Sequence, residues 1–317
     1  MTVGKRACIW LDDFYADYTD MTHLLGEIKL LGSKGTTGTQ ASFMKLFEGD
    51  EEKVCRLDRL IAEKMGFADV YPVSGQTYPR KLDMRICNVL AGMAQSAYRF
   101  ANDMRLLQSM GELEEPFGEK QIGSSAMAYK RNPIRSERVC SIARYAMVNA
   151  QNAPMTASVQ WLERTLDDSA NRRISMPEEF LAVDSVLNLC ITVAEGIVVY
   201  PSVIERRLKD QLPFIASENL LMEAVKAGGD RQEMHEIIRT HSMQARMNMQ
   251  LSGAPCDLLA RLAADASFKL DLGQMEQIMR PELFIGRAPQ QVVDYLENYI
   301  YPIVECVNKK PDSEVLI

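Results

Sequence analysis

Between Gly123 and Pro133 the chain reads GSSAMAYKRNP, with two adjacent serines, a glycine, a lysine, an arginine and an asparagine between two helical patterns. A loop of this kind can wrap an anion with its backbone and expose a hydroxyl. Lys130, Arg131, Arg135 and Arg138 place four cations within nine residues. Asn132-Pro133 then lead into a helix whose N-terminus itself favours negative charge. A second polar island, ERTLDDSANRR from Glu163 to Arg173, brings Arg164, Arg172 and Arg173 together with a hydroxyl at Ser169. Guanidinium groups suit a bidentate grip on carboxylate or phosphate. The same island could instead close on itself through Asp167 and Asp168, an arrangement worth little at a surface. Taken together, the two islands point to a small polyanionic substrate.

Two further stretches carry weaker signals. GQTYPRK, Gly75 to Lys81, offers Gln76 and two hydroxyls just before a long helix, which helix entry explains equally well. GTTGTQ, Gly35 to Gln40, is a glycine-rich turn without the lysine and spacing of a phosphate P-loop. A serine that is to do chemistry needs a proton partner, usually a histidine, and only three histidines exist. His23 lies in the first helical stretch, while His235 and His241 are six residues apart and do not share a helical face, so a metal pair is not expected. Each reads as a surface or cap residue.

The bulk numbers narrow the classes. The chain has 317 residues, 47% apolar and 25% charged, enough for a large core in two or more packed units. A net charge of −7 with no long basic face argues against nucleic acid as a partner. Seven scattered cysteines without a CxxC pair suggest reduced, mostly buried thiols in the cytoplasm rather than a disulfide framework or zinc site. No run of about 18 apolar residues indicates a membrane span.

The elements that must position these residues are helical. Apolar residues from Ala7 to Ile28 recur in steps of three and four, marking a long helix over about Val3 to Leu31 with no N-cap at its start. Further helices are expected over about Asp50 to Met65, Arg80 to Met110, Ile134 to Ala150 and Pro177 to Val199, the last opening on its proline. The second polar island is read as an interruption between the last two. Beyond Tyr200 shorter helices follow, with Ser217 as an expected N-cap, Gly228-Gly229 as a helix end and a capping-box spacing at Asp230 and Glu233. The fold class is all-α, with a long-helix bundle over 1–200 and a smaller all-helical C-terminal domain over 201–317.

GSSAMAYKRNP closely resembles the GSSxMPxKxNP loop of the fumarase and aspartase superfamily. KGTTGTQASF, SGQTYPRK, YKRNPIRSER and ASVQWLERTLDDSANRR are similar to the adenylosuccinate lyase branch in particular, in the same order along nearly the whole chain. The resemblance implies long helices from four subunits in a central bundle, with active sites shared between subunits of a homotetramer. It implies an anti β-elimination that releases fumarate from adenylosuccinate and from the succinyl-aminoimidazole carboxamide ribotide, without metal or organic cofactor. Carried over residue by residue, Ser124 would be the general base. Ser125, Lys130 and Asn132 would bind substrate, the last two through its succinyl carboxylates, and Gln76 would contact the fumarate portion. Arg138, Arg164, Ser169 and Arg173 would hold the nucleotide. Two departures accompany the match. Ala128 stands where the superfamily usually has proline, which should loosen the loop. The superfamily's catalytic histidine belongs to a motif that would lie before Met1, so the chain is expected to be inactive alone, or to be a non-catalytic relative serving assembly or regulation.

Overall fold

The computed structural model describes residues 1–118, 126–127, 129–162 and 164–306. Fourteen α-helices run through these residues. They begin with α1 (Val3–Glu27), α2 (Ala41–Leu46), α3 (Glu51–Lys64), α4 (Lys81–Ser109), α5 (Ile134–Asn149), α6 (Asn152–Ser158) and α7 (Asp167–Glu195). Then come α8 (Pro201–Ile215), α9 (Ser217–Lys226), α10 (Arg231–Ser252), α11 (Leu258–Ala264), α12 (Leu272–Ile278), α13 (Ala288–Tyr295) and α14 (Tyr301–Cys306). Two two-residue strands, β1 (Leu113–Glu114) and β2 (Val198–Val199), pair with one another.

The chain divides into two compact units. The larger comprises Ile9–Met110 and Glu114–Val198, and its frame is α4 packed on α5 and α7. Along α4 the buried residues Cys87, Leu90, Ala94, Ala97, Ala101 and Met104 follow one another in steps of three and four. Val139, Ala143, Ala146 and Ala150 do the same on α5 and the residue after it, as do Ala182, Val186, Leu189 and Val193 on α7. That alternation keeps one stripe of each helix facing its neighbours, and the alanines let the backbones approach. Trp10 of α1 joins this core, its ring 5.2 Å from that of Phe100 and its indole N–H donating to Asp103 at 2.8 Å. The smaller unit holds Met1–Cys8, Gly111–Leu113 and, among the described residues, Val199–Cys306. Its core gathers Leu220, Ala224, Met234, Leu258, Leu262 and Met275.

Several expectations are corrected. α7 begins at Asp167, not Pro177, so the latter half of the second polar island is helix and Pro177 lies inside it. Asp167 and Asp168 supply the negative charge that a helix start favours, and they outweigh the proline as a start signal. Ser217 is the first residue of α9 and not its cap; Ala216 occupies that position, with no side-chain bond. Asp230 does cap α10, accepting from the backbone of Gln232 and Glu233, whereas the full reciprocal capping box occurs at Asp271 and Gln274. All seven cysteines are unpaired, yet only Cys87, Cys140 and Cys190 are buried, so "mostly buried" fails for the rest.

Candidate functional site

Two loops ahead of α4 are folded onto each other before any functional side chain is placed. Asp58 of α3 accepts from the Ser33 backbone at 2.7 Å, the Lys34 ammonium at 2.5 Å and the Gln40 amide at 3.1 Å. Lys34 and Asp58 are both buried, so this lysine serves the turn and is not offered to a phosphate. Gly38 has φ +83°, and a Cβ there would lie 2.0 Å from the Ser74 carbonyl oxygen. Glycine is required at this contact because the GTTGTQ turn lies directly against the loop that carries Gln76.

That loop is in turn locked to the start of α7. Arg80 donates to Asp168 at 2.6 Å, with both side chains nearly fully enclosed. Arg172 donates to Asp83 at 2.5 Å and also to the Tyr78 hydroxyl, which itself donates to Asp83 at 2.7 Å. The Tyr78 ring lies 4.6 Å from the Arg80 guanidinium carbon and 5.6 Å from that of Arg172. Burial, and next the bond to Asp83, push the Tyr78 hydroxyl up to about 12, so it stays a neutral donor. The alternative reading of the second island, closed on itself through Asp167 and Asp168, gives way to pairs reaching some ninety residues back along the chain. The signal that could have found Asp83 is its place four residues before Cys87 on the buried stripe of α4, where an acid needs a partner.

Deeper along α7, Glu179 is fully buried; Asn149 donates to one carboxylate oxygen at 2.9 Å and to the Ser175 carbonyl at 2.8 Å. The other oxygen has no hydrogen-bond partner among the described residues. Burial pushes this carboxyl up to about 7. Asn152, Thr156, Asn171 and Ser175 extend the same polar chain between α5, α6 and α7.

The expected site residues fall into a distinct class. Ser124 and Ser125, with Ala128, lie outside the described residues. Gln76, Lys130, Arg138 and Arg173 are exposed, and Ser169 and Arg164 are half-buried. Among the described residues no carboxylate pairs with Lys130, Arg138, Arg164 or Arg173, and none offers the buried Arg164 Nε a hydrogen bond. Their neighbours are committed: Arg80, Arg131 and Arg172 to acids and Arg135 to the Pro116 carbonyl. Lys130 and Asn132 line a cavity of about 480 Å³ with Asn102, Arg105, Gln108 and Arg131. Sequence reasoning missed Arg105, which is half-buried on α4, has no acid partner among the described residues and faces this cavity. The structure thus brings Lys130 and Asn132 together on one cavity wall and places Ser169 and Arg173 one turn apart on α7, with Arg164 just before it. His23 pairs with Glu27 at 3.0 Å and His241 with Asp265 at 2.9 Å.

Similarity to known proteins runs along nearly the whole chain. A family model described as "Lyase" matches residues 1–148, and one described as "Adenylosuccinate lyase C-terminus" matches residues 213–295. Adenylosuccinate lyase of Saccharomyces cerevisiae is 47% identical over 311 residues, covering 97% of this chain and 64% of the yeast protein. That of Schizosaccharomyces pombe is 48% identical, covering 93% and 61% respectively, and that of Schistosoma mansoni 46%, covering 96% and 64%. The chain therefore spans just under two thirds of the length of these relatives. Among solved structures, a 3-carboxy-cis,cis-muconate lactonizing enzyme from Pseudomonas putida superposes with a TM-score of 0.79 over 94% of this chain and 63% of the other. A fumarate lyase from Mesorhizobium sp. BNC1 gives 0.75; both are 18% identical and bear on the fold alone. With its all-helical bundle, and with relatives at 46–48% identity along nearly its whole length, the chain belongs to the adenylosuccinate lyase family.

Proposed function

We propose that the protein carrying this chain is an adenylosuccinate lyase that eliminates fumarate from adenylosuccinate, leaving AMP, and from the succinyl-aminoimidazole carboxamide ribotide. The observation that carries the reading is the 47% identity to such an enzyme across 97% of the chain. The pattern of committed and uncommitted cations supports it, because a substrate bearing two carboxylates and a phosphate needs positive groups with no acid of their own. Lys130 and Asn132 would take the succinyl carboxylates, with Gln76 on the fumarate portion. Arg138, Arg164, Ser169 and Arg173 would hold the nucleotide, largely by its phosphate.

In the elimination, Ser124 removes a proton from the carbon beside a carboxylate. The electron pair forms the new double bond, the carbon–nitrogen bond breaks and a general acid protonates the leaving nitrogen. Charge develops on the carboxylate during the first step, so a cation fixed beside it contributes most there.

Self-association is part of the same reading. Ile174, Phe180 and Leu181 on α7 and Val148 on α5 are exposed although they sit on long bundle helices. Exposed apolar residues grouped on long bundle helices call for cover, which further copies of the bundle would provide, as a homotetramer with shared sites. Seven unpaired cysteines suit the reducing cytoplasm, and among the described residues no helix is long and apolar enough to cross a membrane.

The test is turnover of adenylosuccinate, followed by ultraviolet absorbance, with Ser124→Ala and Arg173→Ala alongside. Loss of elimination with retained binding in Ser124→Ala supports the base assignment, and full turnover in that variant removes it. No turnover by the whole protein that carries this chain defeats the enzymatic reading and leaves a non-catalytic relative. A monomeric mass by light scattering would defeat the assembly.

A further inference from the structure

Glu115 precedes the GSSAMAYKRNP segment and is only 3% exposed. One of its oxygens accepts the Arg135 N–H at 2.8 Å; the other accepts the Ser136 N–H at 2.9 Å and the Ser136 hydroxyl at 2.8 Å. Those N–H groups belong to the first turn of α5, whose free donors and dipole favour an anion. The place that the sequence offers to a substrate anion is thus already filled by the protein's own carboxylate, and that expectation is corrected.

The surroundings tie the same two stretches of chain together. Gln108 of α4 accepts the Glu115 N–H at 3.1 Å and donates to the Arg131 carbonyl at 3.2 Å. Arg131 pairs with Glu114 at 3.2 Å, and its guanidinium carbon lies 5.1 Å from the Phe117 ring centre. Arg135 donates to the Pro116 carbonyl. Residues Glu114–Phe117 and Arg131–Ser136 are therefore bound to each other at the foot of the segment. Lys130 and Asn132 stand at that foot, on the wall of the 480 Å³ cavity.

We propose that Glu115 is a positioning residue for the elimination. By fixing Arg135 and Ser136 it sets where Lys130 and Asn132 meet the substrate, and by occupying the start of α5 it directs the substrate anion to side chains instead. The inference rests on the substrate reading above for what Lys130 holds, but the anchoring itself is independent of it. A carboxylate here does what an apolar side chain could not: it satisfies three donors at once while joining two distant stretches.

The experiment uses Glu115→Gln, which keeps the volume but sets an N–H pair against the donors of Arg135 and Ser136. A misplaced binding group costs on the order of ten- to a hundredfold in rate. A fall of at least about tenfold in kcat/KM for adenylosuccinate, carried by KM, is therefore expected. In a Lys130→Ala background the same change should cost less than about twofold, since the group being positioned is already gone. Equal losses in the two backgrounds would overturn the proposal, as would Glu115→Gln turning over like the unmodified protein. A second readout needs no activity: trypsin should cut after Lys130 or Arg131 about tenfold faster in Glu115→Gln once the foot is loosened. Unchanged cleavage overturns the anchoring. If the unmodified protein turns over no adenylosuccinate, the substrate reading fails and proteolysis alone decides the role of Glu115.

Discussion

Asp168→Ala should be among the most damaging single substitutions in the larger unit, through its effect on stability. The native pair is Arg80 to Asp168 at 2.6 Å, with side chains 7% and 0% exposed. Removing the acid strands a guanidinium away from water, and breaking a buried pair in this way costs about 3–5 kcal/mol. The Tyr78 ring, 4.6 Å from the Arg80 guanidinium carbon, offsets roughly 1 kcal/mol as a cation–π partner, which places the expectation near the lower end, about 3 kcal/mol. The Lys226–Glu223 pair, 66% and 42% exposed, is the internal control; Lys226→Ala should cost less than about 1 kcal/mol. Urea unfolding followed by circular dichroism measures both against the unmodified chain. Replacing the pair together, Arg80→Met with Asp168→Leu, should recover much of the loss, because no unpaired charge is then left behind. A cost for Asp168→Ala no larger than for Lys226→Ala would refute the reasoning, and so would a double variant as unstable as the single.

Other consequences can be checked alongside. Burial holds Glu179 protonated up to about pH 7 in the folded chain, while the unfolded carboxyl ionises near its ordinary 4.5. Unfolding between those values releases a proton, so this group lowers stability as pH rises through the window; Glu179→Gln should melt higher than the unmodified chain at pH 8, the gap shrinking towards pH 5, and a gap independent of pH would contradict this. Gly38→Ala meets both a positive φ and the Ser74 carbonyl, whereas Gly49→Ala, at φ +85° with nothing within 4 Å, meets the φ alone. Strain of this kind costs about 1–3 kcal/mol, so equal melting temperatures for the two variants would remove the close-approach argument. Arg172→Ala should lower the melting temperature and Arg173→Ala should not, while Arg173→Ala raises the KM for adenylosuccinate; the opposite assignment would undo the division of the arginines.

How far the sequence carries depends on how local each signal is. The apolar steps of three and four make α1, α3, α4 and α5 legible, with Asp50 capping α3 through the Lys53 backbone as its position suggests. α7 is misread because a proline looks like a first turn, when two aspartates ten residues earlier already form one. The substrate contacts come from resemblance to a family rather than from spacing. The groups that hold them in place are invisible to spacing, since Arg80 reaches Asp168 across 88 residues, Arg172 reaches Asp83 across 89 and Glu115 reaches Ser136 across 21.

One part of that hidden layer does leave a mark on the sequence. Starting from Asp168 in steps of four and three, α7 reads Asp168, Arg172, Ser175, Glu179, Ala182, Val186, Leu189 and Val193. This is one stripe, polar in its first half and apolar in its second, and α4 shows the same change from Asp83 through Cys87 to Leu90, Ala94 and Ala97. A charge on a buried stripe must have a partner, so the polar ends mark both helices as needing one, while the fold alone selects Asp83 for Arg172. The step of one residue explains the rest. At 3.6 residues per turn, Ser169 and Arg173 are rotated about 100° from Asp168 and Arg172. Asp168 and Arg172 face the bundle and are consumed by Arg80 and Asp83; Arg173 turns outward and is exposed without an acid partner among the described residues. The adjacent arginines of SANRR are therefore not a redundant pair. The inner one holds α7 to the loop that carries Gln76, and the geometry of that hold determines where the outer one is offered.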